Sequence, residues 1–177
     1  AEHLPTFARE IAALHRHHVS LDAVWFPAEL NNDAKTILDV LGRHQIHTQL
    51  WVTMGDPAPQ GDQAAKLTAA AMTLGPIAQA AGKIGCKLAL YNHGGWFGEP
   101  ENQLAILDEL KMPNVGLVYN LHHGHDHLDR FAALLEKMKP HLLALNLNGM
   151  TREGDRRGQT ILPLGQGDFD LSLLKTI

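Results

Sequence analysis

A single cysteine in 177 residues excludes an internal disulfide, so nothing in this chain is stapled covalently. That residue, Cys86, opens an apolar strand and reads as a buried, inert thiol rather than a nucleophile. No apolar run approaches the ~20 residues that a membrane-spanning helix needs. A basic stripe is also missing. The 15 Lys and Arg stand against 19 Asp and Glu, and the formal net charge of −4 is spread without long like-charge runs. Neither a membrane nor nucleic acid is therefore an expected partner. The N-terminus shows no signal-peptide pattern, which leaves a cytoplasmic location and export after processing both open. The dinucleotide fingerprint G-x-G-x-x-G does not occur either. Gly165-Gln166-Gly167 is only a fragment of it, and it follows a polar loop rather than the first strand.

With 45% hydrophobic and 19% charged residues, the composition is that of one globular domain, here residues 1–177. The pattern alternates. Helical spacing marks Pro5 to His17, with Thr6 placed to cap, then Ala34 to Arg43 behind Asp33, then the alanine-rich Asp62 to Lys83. Pro76 predicts a kink or break near Gly75 in the last of these, and Gly85 suits its left-handed stop. Further helices fall at Glu101 to Leu110 and Leu128 to Lys137, and one begins near Asp168. Strand-like runs lie between them near 21–26, 47–53, 87–92, 115–121 and 142–147, and Thr151 to Thr160 reads as a polar, basic, mobile loop. This alternation gives an α/β fold with a parallel sheet covered by helices, and without the dinucleotide motif a (β/α) barrel is favoured over an open sheet.

In a parallel sheet the carboxyl ends of successive strands lie side by side. Chemistry collects at those ends. Tyr91, Asn92 and His93 close one strand, Asn120 with His122 and His123 closes the next, and Asn146 and Asn148 close the last. Imidazole titrates near neutrality, so His93 and His123 are candidate general acids or bases. Asn92, Asn120, Asn146 and Asn148 could hold a polyol, because amides donate and accept as sugar hydroxyls do; turn chemistry at strand ends explains them equally. Trp96, set among glycines, is a candidate sugar-stacking residue, whereas Trp25 and Trp51 are read as packing. Glu29 is the best rim acid. The set His93, His122, His123, His125 and His127 could alternatively hold zinc or nickel.

Three segments in this order, Ala89-Leu90-Tyr91-Asn92-His93, Asn114 to Asn120 with His123, and Leu162 to Asp168, resemble the xylose-isomerase-like TIM-barrel superfamily, the sugar phosphate isomerases and epimerases. The resemblance implies that the five strands are strands three to seven of eight. An incomplete barrel exposes strand edges, so the chain is either part of a longer one or has its edges covered by partner chains, a homo-oligomer among them. The family's divalent metal takes carboxylates and a histidine from successive strand ends. Tyr91, Asn120 and Asn146 stand at the corresponding positions here, and neutral donors poorly serve a hard cation, so no metal or other cofactor is expected. The implied function is a sugar-processing enzyme acting by histidine acid/base chemistry. A glycoside hydrolase or lyase on the same barrel and a non-catalytic carbohydrate-binding barrel are the alternatives.

Overall fold

The computed structural model describes residues 4–169 and 171–176. Strands β1 (Ala23–Trp25), β2 (Gln49–Val52), β3 (Lys87–Tyr91), β4 (Val115–Asn120) and β5 (Leu142–Asn146) form one sheet in chain order, and every neighbouring pair is parallel. Between them run α1 (Phe7–Arg16, ahead of β1), α2 (Asn32–Arg43), α3 (Gln63–Lys83), the short α4 (Gly95–Gly98), α5 (Pro100–Leu110) and α6 (Phe131–Met138). The result is a curled half-barrel, an incomplete TIM-like α/β fold.

Each strand divides its side chains by period two. Leu50 and Val52 of β2, Leu88 and Leu90 of β3, and Leu117 and Tyr119 of β4 point to the helices and join Leu41, Leu74, Ile77 and Ile106 in the main core. The opposite, concave face carries Ala89, Tyr91 and Val118 with Trp51, Leu143 and Ala144 packed on them. In a flat sheet β2 and β5 would lie about 14 Å apart. Here Gln49 Nε2 on β2 donates to the Leu143 carbonyl on β5 at 3.2 Å, which fixes the curl.

Helix ends follow local chemistry, with some differences from expectation. Asp62 caps α3 by accepting from the Ala65 N–H at 2.9 Å. The cap of α2 is Asn31, not Asp33, accepting from Ala34 at 3.0 Å. Thr6 makes no cap at all, because its hydroxyl bonds Glu10 instead, at 2.6 Å. Helix α3 runs through Pro76 without a break. Pro76 and Met72, whose carbonyl it cannot serve, are both exposed, so the missing bond falls on the side where water replaces it. At the end of α3, Gly85 at φ 73° lets Cys86 N–H reach back to the Ala81 carbonyl at 3.0 Å, a Schellman stop. Burial raises the Cys86 thiol above its ordinary pKa, in keeping with an inert group. Asp168 starts no helix. Its carboxylate instead accepts from the Arg152 N–H at 2.7 Å and the Thr151 hydroxyl at 3.1 Å, tying down the turns of 151–160, and the last described helix is the 3-10 segment Leu171–Thr176.

Gly116 on β4 leaves room for β5. A Cβ there would lie 2.7 Å from both the His141 carbonyl oxygen and Leu143 Cγ. Gly116→Ala is expected to lower unfolding stability by about 1–3 kcal/mol, measured by urea denaturation, because backbone on the far side cannot yield.

Candidate functional site

The carboxyl end of β3 is locked to that of β4 by one buried amide. Asn92, 1% exposed, accepts from the Asn120 N–H at 2.7 Å and donates to the Asn120 carbonyl at 3.0 Å. The side chain of Asn120 then accepts from the His122 N–H at 3.0 Å, turning the chain after β4, and donates through Nδ2 to the Tyr91 hydroxyl oxygen at 2.6 Å. With its oxygen accepting from Asn120, the Tyr91 O–H proton is left to point elsewhere. Two of the four amides expected to meet a ligand are thus committed inside the protein. Asn148 donates to the Gly149 carbonyl at 2.8 Å. Asn146, half-buried opposite Asn120 in the strand register, makes no side-chain hydrogen bond to a described residue.

The two leading histidines do meet. The rings of His93 and His123 lie 4.5 Å apart between centroids, and the ring of His122 is likewise 4.5 Å from that of His123. Gly94, at φ 80°, lets the chain turn away directly after His93. Tyr91 sets its ring edge-on to His123 at 5.7 Å and stacks on Trp51 at 5.6 Å. Trp25 contacts both Tyr91 and Trp51, at 4.8 and 5.8 Å, yet stays 58% exposed. Trp25 and Trp51 do pack, but on the concave face and beside the histidines rather than in the main core. Their pairing could have been seen in the sequence, since both fall at the end of an aligned, adjacent strand.

His123 is pushed down to about 4 from its ordinary 6.5, first by burial and then by repulsion from His122, His93 and His125. It is therefore a free base at neutral pH. His125 and His127 turn away. His125 Nε2 donates to the Thr160 carbonyl at 3.2 Å, and His127 is buried between the Tyr119 hydroxyl and Glu99. Trp96 sits not in an open loop but in α4, where it packs on the core and donates from Nε1 to Gln63 at 2.8 Å. Glu29 is exposed in the loop after β1. The other rim carboxylates are paired: Asp56 with Lys66, Glu99 with Arg130 and His127, Glu101 with Arg130 and Lys137. A cleft of about 560 Å³, between residues such as Lys87, Lys111 and His141, lies at the opposite, amino end of the strands.

These residues do not fit a divalent cation. The donors at the three strand ends are a phenol and two amides, and Asn120 Oδ1 already accepts from His122. Among the described residues no group of three or more His, Cys, Asp and Glu is arranged to hold a metal, so the five histidines do not assemble the alternative zinc or nickel site.

No family model matches the chain, and no curated protein matches it by sequence. Solved structures do match. A Mycobacterium smegmatis xylose isomerase-like TIM-barrel protein in complex with magnesium aligns over 93% of this chain and 64% of its own, at 15% identity and TM-score 0.66. The fold is that of the xylose isomerase-like TIM barrels. A D-tagatose 3-epimerase-like protein aligns over 95% of this chain and 70% of its own, at 16% identity and TM-score 0.66. The 3-keto-D-glucoside 4-epimerase of E. coli aligns over 80% and 64%, at 11% identity and TM-score 0.60. The chain thus spans less than two thirds of the mycobacterial protein and of the E. coli epimerase.

Two measurements check this site. Proton NMR of His123 should give a titration midpoint near 4. Between 6.5 and 4 the unfolded state binds a proton that the folded state refuses, so stability should fall as pH drops through that window, and less so in His123→Gln. A midpoint near 6.5 would remove the burial account. Separately, Mn²⁺ titrated to millimolar concentration should leave Trp fluorescence and the Tyr91 resonances unchanged, and stoichiometric retention of manganese or magnesium after gel filtration would contradict the donor argument.

Proposed function

We propose that this chain processes a small carbohydrate as an epimerase- or isomerase-like enzyme, with His123 as general base. The observation that carries the reading is the convergence, at one rim, of a neutral imidazole, a second imidazole at 4.5 Å and a phenol whose oxygen accepts from Asn120. The fold shared with sugar epimerases supports the substrate class.

The chemistry follows from these groups. A carbon next to a sugar carbonyl loses its proton to His123, and the electron pair moves into the carbonyl, leaving an enediolate oxygen. The Tyr91 O–H can donate to that oxygen, in the manner of an oxyanion hole. Delivery of a proton from His93 to the opposite face of that carbon completes epimerisation, whereas delivery of the His123 proton to the former carbonyl carbon, as the adjacent hydroxyl proton moves to the enediolate oxygen, completes isomerisation. The rings of Trp25 and Trp51 offer an apolar face to the sugar, and Asn146 an amide to its hydroxyls. Glycoside cleavage has less support, since it needs two carboxylates across the bond and the paired acids of this rim leave only Glu29. Carbohydrate binding without turnover is the second reading, favoured by the 58% exposure of Trp25 on the concave face.

A panel of ketoses and aldoses incubated with the protein in D2O separates them. Deuterium should enter the carbon beside the carbonyl of one sugar, and His123→Ala should slow entry by about 10²-fold or more, since positioned bases contribute at least that. Tyr91→Phe should slow it as well while retaining binding. Sugar binding with no exchange would establish the binder instead.

A further inference from the structure

Behind the rim, on the helix side of β4, lies a chain of polar groups that the proposed chemistry does not use. The hydroxyl of Tyr119, 1% exposed, lies 2.8 Å from His127 Nδ1, to which it donates when the imidazole is neutral with its proton on Nε2. Glu99 sets that tautomer: its carboxylate can only accept, so Nε2 of His127, 6% exposed and 3.3 Å from Glu99 Oε2, carries the proton. Arg130 closes the chain on the other Glu99 oxygen and on Glu101, the latter at 2.9 Å. Burying a phenol and an imidazole costs stability unless each is hydrogen-bonded, so the three groups hold one another in a single arrangement.

The placement of this chain is what gives it consequence. Tyr119 is one residue before the turn that carries His123, and Gly124 rests directly on its hydroxyl: a Cβ on Gly124 would lie 2.2 Å from the oxygen. Gly124 also starts the following 3-10 segment by accepting from the His127 N–H at 2.9 Å. Glu99, at the other end, terminates the short α4 whose first turn begins just after His93. One end of the relay thus sits under the loop bearing His123 and the other at the exit of the loop bearing His93.

We infer that Tyr119, His127 and Glu99 form a clamp between the β3 and β4 loops, and that they are positioning residues that set His123 against His93. The inference rests on the site proposed above, but its test does not depend on turnover. Nuclear Overhauser contacts between the His93 and His123 ring protons report the pair directly. In the full chain, Tyr119→Phe and His127→Ala should abolish those contacts and move the His123 titration midpoint upward by at least one pH unit, a tenfold change in protonation, as the ring swings into water. His127→Gln, which can still accept from Tyr119 and donate to Glu99, should restore both readouts. Leu74→Ala, a core change remote from the relay, should lower stability and move neither. Gly124→Ala, whose added methyl would press on the Tyr119 hydroxyl, should break the contacts as well. Unchanged ring contacts and midpoint in Tyr119→Phe and in folded His127→Ala would overturn the clamp and leave the relay as packing.

Discussion

The site depends on one side chain that continues a sheet after its backbone has stopped. Between β3 and β4 the last backbone rung, Asn92 N–H to the Val118 carbonyl, is already long at 3.4 Å. Two residues on, the Asn92 amide supplies both a donor and an acceptor to the backbone of Asn120, at 3.0 and 2.7 Å. A parallel ladder frays at its carboxyl end, where the chain must leave for the next helix, and a rim built on frayed ends would be imprecise. The buried amide removes that freedom. It fixes where Asn120 begins its turn, and with it the hydroxyl of Tyr91 and the loop that carries His123.

Curvature provides the second condition. Because Gln49 reaches β5 across the concave face, Trp51, Tyr91 and Leu143 are drawn together, and Trp51 anchors its own indole N–H on Gln49 Oε1 at 2.9 Å. The aromatic floor and the strand ends are therefore held by the same face. Helices on the convex side contribute indirectly, by filling the main core and by carrying Glu99 to the relay behind the histidines.

The fold was legible because its signals are local and repeated: five apolar runs with helices between them leave little choice but a parallel sheet in chain order. Boundaries shifted where a side chain found a different partner, as when Thr6 bonded Glu10 and Asp168 bonded Arg152. The pairing of His93 with His123 was also legible, since equivalent strand ends are neighbours by topology. Which amides were free was not. Asn92 and Asn120 look alike in sequence, and only their register shows that they satisfy each other while the Asn146 side chain bonds none of the described residues. Trp96 misled for a related reason: its glycine neighbours suggested an open loop, yet Gly95–Gly98 winds into a helical turn that presses the indole against Gln63.

The neutral strand ends and the depressed His123 are two expressions of one electrostatic fact. A carboxylate near an imidazole favours its protonated form, so acids at the positions of Tyr91 and Asn120 would draw a proton onto His123 unless a cation neutralised them. With a phenol and an amide there, no nearby negative charge offsets the burial of the ring or its repulsion by three other histidines, and the free base results without a cation. A rim that lacks carboxylates for a metal is, for the same reason, one that keeps an unprotonated imidazole at neutral pH. In the proposed chemistry the Tyr91 hydroxyl is the group that gives a proton to the developing oxyanion, and it is held by the same Asn120 that Asn92 locks in place.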